Sequence, residues 1–216
     1  MERPFEKAVC LNNAGAQRLA KEDFVGAIKA LSIAFHCFEK AYKRSSSHLS
    51  REGRQEHCIS NFNMDEWMVK ITSSNEDDTE IYQHPIQIPY NMITDADTSG
   101  LVSTAITFNL ALANHLNGLR TENKSWLSTA SRLYEYGFSL ERIRGNSFVS
   151  PFFLMAVLNN LGHIHMANRE IDRSQKCFRQ LLSTLIYLTQ IKGFNPKDLE
   201  MFYGNTTISS RCAAAA

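Results

Sequence analysis

Apolar residues recur at steps of three and four along three stretches of the chain, and a short polar break divides each stretch in two. That pattern predicts antiparallel helical hairpins. The first is expected over 1–44, with Lys21, Glu22 and Asp23 as its turn. Its second helix carries one apolar stripe, Ala27, Leu31, Ala34, Phe35, Phe38 and Tyr42, and ends in Lys40, Lys43 and Arg44, cations suited to a helix carboxyl end. The second is expected over 98–145, with Leu101, Ala105, Phe108, Leu112 and Leu116 on its buried stripe and a break from Gly118 to Ser125. The third, over 146–192, opens on Ser150-Pro151, a capping hydroxyl followed by a proline whose missing N–H is harmless at the first helical position. Its helices are expected to reach about Ala167 and to run from Ile171 to Ile191. Residues 193–216 hold a helix stop at Gly193, then a short helix through Leu199, Met201, Phe202 and Tyr203 that would cover the end of the stack, and a frayed tail.

Residues 45–97 break the pattern. Ser45-Ser46-Ser47 and the run Ser73 to Asp78 are too polar to pack, so this region is expected to be a partly disordered insertion or linker. Within it, Trp67 to Ile71 and Ile81 to Tyr90 alternate apolar and polar residues with β-branched content, which predicts short extended segments. Pro85 and Pro89 restrict the second of these to a sheet edge or to a place outside any sheet.

The first helices of the three hairpins share a phrase: Leu11-Asn12-Asn13-Ala14-Gly15, Phe108-Asn109-Leu110-Ala111-Leu112 and Leu158-Asn159-Asn160-Leu161-Gly162. Ala27 lies twelve residues beyond Gly15 and Ser174 twelve beyond Gly162, each followed by a large residue and then Ala34 or Leu181. The middle copy departs: Leu112 stands where glycine is expected, and Ala130 comes eighteen residues later, which predicts a longer turn. The small and large residues at these places resemble the tetratricopeptide repeat, over most of the chain apart from 45–97 and the tail. The order of the phrases around Phe108, Leu133-Tyr134-Glu135-Tyr136, Leu158 and Leu181-Leu182 is similar to a family of tetratricopeptide-like proteins expanded in diatoms, for which no activity is established. The resemblance implies an all-α fold of three hairpins in a right-handed stack. It supplies no reaction.

Composition narrows function by exclusion. With 23 basic and 22 acidic side chains and a net charge of +1, the chain has no basic face with which to neutralise phosphates, so no nucleic-acid partner is expected. Lys40, Lys43, Arg44, Arg51 and Arg54 read as a solvated helix end. The longest apolar run, Phe152 to Leu158, falls far short of the roughly 20 residues of a bilayer span, and no membrane association is expected. Residues 1–7 lack the apolar stretch of a secretion signal, so an intracellular location, cytoplasmic or nuclear, is expected. Five widely spaced cysteines form no Cys-x-x-Cys pair and read as reduced thiols, neither disulfide framework nor zinc knuckle. No phosphate-cradling glycine motif occurs, and neither a cofactor nor a metal is expected.

Asn12, Asn109 and Asn159 each follow the large apolar residue of the repeat, a place that the resemblance puts on a concave groove. An amide offers both donor and acceptor, so a row of them can pair with the backbone of an extended peptide. Asn13, Asn160 and His163 complete the candidate groove. His163 and His165 are two apart on a helix, so their rings diverge and cannot chelate one metal; a satisfied, partly buried pair is expected. The groove lacks the lysines and arginines that would pair a terminal carboxylate. A non-enzymatic interaction module binding a protein or peptide is therefore expected, with Ile81 to Tyr90 a candidate to occlude its own groove. Self-association as a structural protein is the rival reading. A hydrolase or transferase built on His57 and Cys58, with Glu56 and His84 elsewhere in the insertion, is a weaker one, because adjacent side chains seldom face each other.

Overall fold

A computed structural model of the chain describes residues 5–49, 81–90, 99–143, 150–190 and 199–206, the side chains of 44–49, 99 and 141–143 aside. The described structure is helical: α1 (Glu6–Leu19), α2 (Phe24–Leu49), α3 (Ser99–Arg120), α4 (Lys124–Ile143), α5 (Pro151–Ala167), α6 (Ile171–Gln190) and a short α7 over 200–206. No β-strand occurs among the described residues, and none of the helices is long and apolar enough to cross a membrane. The chain divides into two compact units. One is built from α1 to α4 with residues 85–90, the other from residues 81–84 with α5, α6 and α7.

In the first unit α1 pairs with α2 and α3 with α4, and the two hairpins pack through α2 and α1 against α3. α3 is therefore enclosed on all sides: every residue from Leu101 to His115 is buried. The α2 stripe buries Ala27, Leu31, Ala34 and Phe38 as its spacing predicts, but Phe35 is only half-buried and the stripe finishes on Ala41, while Tyr42 lies outside and stacks on Phe38 at 6.0 Å. α2 also continues to Leu49, beyond the expected end at Arg44. In the second unit the Ser150 hydroxyl accepts from the Phe153 N–H at 3.1 Å, capping α5 ahead of Pro151. α5 is buried almost all round, and α6 turns Ser174, Phe178, Leu181, Leu185 and Leu188 inward.

All three hairpins turn in the same way. Glu22, Glu122 and Arg169 sit in the left-handed region at φ 59°, 52° and 63°. In each turn the N–H of the next residue, Asp23, Asn123 or Glu170, closes onto the carbonyl five residues back, of Arg18, Gly118 or His165. That is the double-bonded helix stop usually built on glycine. The residue after the left-handed position then starts the next helix: Asp23 Oδ1 accepts from the Gly26 N–H and Asn123 Oδ1 from the Ser125 N–H. The Asp23 carboxyl is held below its ordinary value first by Gly26 and then by Arg18, 2.7 Å away.

This shared turn corrects the expectation for the middle hairpin. Its turn is no longer than the others, since α3 ends at Arg120 and α4 begins at Lys124. The extra residues lie in the helices. Asn12 and Asn159 stand ten residues before their left-handed positions, and Asn109 stands thirteen before its own. Ala27 and Ser174 lie five residues after theirs, and Ala130 eight after Glu122. The repeat positions of the middle hairpin thus stand about one helical turn further from its turn on each helix.

Gly118 belongs to a helix contact rather than to the break: a Cβ there would meet Leu127 Cδ2 at 2.8 Å. Gly15 and Gly162 play the same part in the outer hairpins, where a Cβ would lie 2.5 Å from Leu31 Cγ or 2.7 Å from Phe178 Cζ. At Gly162 the close approach is also polar, because the Ser174 hydroxyl donates to its carbonyl at 2.9 Å. Alanine inside a helix is ordinarily better than glycine by about 1 kcal/mol. Gly15→Ala and Gly162→Ala are instead expected to destabilise by about 1–3 kcal/mol through overpacking. Equilibrium urea unfolding of each variant checks this, and Gly15→Ala is expected to cost less in a Leu31→Ala background, where the facing γ carbon is gone, than in the wild type.

Candidate functional site

Residues 81–84 in the second unit and 85–89 in the first form neither helix nor strand, and their backbone lies against helical asparagines. An extended residue points its N–H and C=O to one edge, and its neighbours point theirs to the other. Tyr82, Ile86 and Ile88 share one parity, and all three are buried at 0–1% exposure, while His84 of that parity is half-buried and Tyr90, at the end of the segment, is exposed; Gln83 and Gln87 have the opposite parity and are exposed. Pro85 and Pro89 also fall on the opposite parity, where a missing N–H takes nothing from the pairing edge. They also steer the residues before them, His84 and Ile88, toward extended backbone.

In the first unit, Asn109 of α3 brackets Ile86. Its Oδ1 accepts from the Ile86 N–H at 2.7 Å and its Nδ2 donates to the Ile86 carbonyl at 2.8 Å. Asn13 of α1 does the same to Ile88, accepting from the N–H at 2.9 Å and donating to the carbonyl at 2.8 Å. Each amide reproduces the two-bond pairing of facing residues in an antiparallel sheet, with a side chain in place of the second strand. Asn12, fully buried, joins the two: it accepts from Asn109 Nδ2 at 2.9 Å and donates to Asn13 Oδ1 at 3.2 Å and to the Ile86 carbonyl at 3.1 Å. The order of donation from Asn109 to Asn12 to Asn13 orients every amide, because Asn13 keeps its oxygen for the Ile88 N–H only if its nitrogen is committed to the carbonyl.

The second unit repeats the device. Asn160 of α5 accepts from the Tyr82 N–H at 2.9 Å and donates to the Tyr82 carbonyl at 3.1 Å. Asn159 donates to Asn160 Oδ1 at 3.3 Å and accepts from Asn205 of α7. Asn205, Asn159 and Asn160 therefore stand in the same donor order as Asn109, Asn12 and Asn13. The Tyr82 ring stacks on Phe202 at 6.1 Å with 7° between planes, and Phe152 meets Phe202 edge-on at 5.8 Å. Burial alone holds the His84 imidazole below its ordinary value of 6.5, and its ring lies 5.8 Å from that of Tyr82.

Of the residues that the repeat pattern singles out, Asn12, Asn13 and Asn109 come together on the segment in the first unit, and Asn160 brackets Tyr82 in the second. Asn159 stands behind Asn160, bonded to it and to Asn205. His163 is turned to α6, its ring edge-to-face with Phe178 at 5.7 Å. His165 is buried, as expected, and its Nδ1 lies 2.8 Å from Glu170 Oε2, which lowers the Glu170 carboxyl first by that hydrogen bond. Asn205 is not visible in the sequence, because one asparagine in a short segment without a repeat partner carries no signal. Glu56, His57, Cys58 and Trp67 to Ile71 lie outside the described residues, as do Arg51 and Arg54. Among the described residues, no group of three His, Cys, Asp or Glu side chains could hold a metal ion.

No family model, no curated protein and no solved structure matches this chain.

The amide pairing and the His84 burial can each be tested in solution. Asn109→Ala orphans the buried Ile86 N–H, and a buried group left unsatisfied costs about 1–3 kcal/mol. Asn13 is only half-buried, so water replaces part of what Asn13→Ala removes and its loss is expected to be smaller. Urea unfolding ranks the two, and amide exchange is expected to accelerate at Ile86 in the first variant and at Ile88 in the second. For His84, the depressed value means that the undocked segment binds more protons. Docking is then strongest at neutral and higher pH and weakens as pH falls through 6.5. Exchange protection of the Tyr82 amide, followed from pH 8 to pH 5, is expected to fall on acidification and to lose that dependence in His84→Gln.

Proposed function

We propose that this chain is a non-enzymatic protein-interaction module of tetratricopeptide-like hairpins, whose asparagines hold an extended peptide by its backbone. The observation that carries this reading is the two-bond pairing of Asn109 with Ile86 and of Asn13 with Ile88. Pairing of that kind is how a sheet edge captures a strand, and it takes hold of any backbone of the right shape. Residues 85–90 are the resident occupant of the first unit, and a partner segment competes with them for the same amides. The three hairpins share one turn geometry, and the first and third share one glycine-to-large-residue contact at the same spacing, which supports treating them as repeats.

The test uses the full chain with its resident loosened by Ile86→Ala, since deleting a buried isoleucine to alanine typically costs about 2–5 kcal/mol. A random peptide display library is selected on this chain and on the same chain carrying Asn13→Ala and Asn109→Ala, both checked as folded by circular dichroism. Peptides are expected to enrich on the first and not on the second. Equal enrichment on both, or none on the first, overturns the proposal.

A further inference from the structure

We infer that the Asn12, Asn13 and Asn109 cluster accepts, from a partner protein, an extended segment of the form aliphatic-x-aliphatic, with charge and proline barred from both aliphatic positions and proline tolerated on either side of them. This rests on the interaction-module reading and adds what the partner must look like. The two readers are Asn109 and Asn13. Each uses the N–H of its residue as well as the carbonyl, so the residues they bracket must have an N–H to give. Ile86 and Ile88 are buried at 0% and 1% exposure, so the side chains at those positions must be apolar. Gln87 between them is exposed, which leaves the middle position open. Pro85 and Pro89 show that proline fits beside the bracketed residues, where it stiffens the peptide in its bound shape at no loss of a bond.

Neutrality at the two bracketed positions follows from the same geometry. Asn12, Asn13 and Asn109 present only amides to the bracketed backbone, and their donors and acceptors are already matched with each other and with Ile86 and Ile88. A charged side chain at either position would be buried with no counter-charge among those partners. Exchange is feasible because the bonds are made to backbone and are the same for any sequence that satisfies these rules. The resident segment is tethered, which gives it an effective concentration in the millimolar range for short linkers. A free peptide of the same sequence is therefore a weak competitor on the intact chain and a much stronger one once the resident is loosened.

The experiment is a fluorescence-anisotropy titration of the full chain with a labelled synthetic peptide of residues 84–90, His-Pro-Ile-Gln-Ile-Pro-Tyr. The peptide is expected to bind Ile86→Ala at least about tenfold more tightly than the wild type. Proline in place of either isoleucine of the peptide is expected to weaken binding by about tenfold or more, since each removes the backbone donor of an amide oxygen of the cluster together with a buried aliphatic side chain. Alanine in place of its glutamine is expected to leave binding within about twofold. Binding that ignores proline at the isoleucine positions overturns the inference and leaves the module reading standing. Failure of this peptide on a folded, loosened chain that still takes display-selected peptides does the same. Failure of both kinds of peptide overturns the module reading itself. Should Ile86→Ala not fold, Ile88→Ala replaces it; if neither folds, the segment is an obligate part of the core and the inference is overturned.

Discussion

A backbone that leaves regular structure and enters a helical core brings N–H and C=O groups that no helix can satisfy, because helices use up their own. Residues 81–90 meet that constraint with side-chain amides. Asparagine is well matched to such a backbone, being short enough to stay rigid on a helix and neutral enough to bury, with a donor and an acceptor side by side at the spacing of a peptide unit. Aspartate would offer acceptors alone and face the carbonyls of Ile86 and Ile88 with like charge. The supporting asparagines, Asn12 in one unit and Asn159 in the other, are fully buried and fix which way each amide points. A flipped amide would set nitrogen against N–H and oxygen against carbonyl, so the pairing depends on the whole donor order rather than on one bond.

Helices bearing such amides must stand at a set distance, and the glycine contacts provide it. Gly15, Gly118 and Gly162 each leave room for one large or branched side chain of the facing helix, Leu31, Leu127 or Phe178. The left-handed turn residues fix the other end of each hairpin, so helix register follows from the turn and helix separation from the glycine. The middle hairpin keeps that turn but sets its repeat positions about one helical turn further from it on each helix. Asn109 is thereby carried three residues further from its turn than Asn12 is, and the two still meet in one hydrogen bond.

Helical periodicity is legible in the sequence wherever a helix has one buried face. α2 and α6 read more clearly, since each has one buried stripe with Lys29, Lys40 and Lys43, or Asp172, Arg173 and Lys176, outside it. α3 and α5 are enclosed, so their apolar residues run round the whole helix and the period fades. Gly118 misleads for a related reason: glycine signals a break by its conformational freedom and a close contact by its lack of a side chain, and sequence does not separate the two. The amide positions are legible through the repeated phrase, but only to within one residue. Asn159 and Asn160 are adjacent, and which of them reads the segment is a matter of helix rotation that spacing does not resolve. The turn length of the middle hairpin is not legible, because spacing between small residues counts helix and loop alike.

The segment itself is legible as extended, and its prolines limit sheet pairing. The limit holds for one edge of the segment only. Both prolines fall on the parity that faces away from the asparagines, so the edge they remove is the edge not used, and the edge they spare is the one the amides occupy. Proline spacing of four residues in an extended run keeps one whole edge free of missing donors, whereas an odd spacing would put a gap on each edge. A backbone-reading cluster therefore selects against proline by parity rather than by composition. The same two residues that exclude the segment from the interior of a sheet leave it fit for capture by side chains.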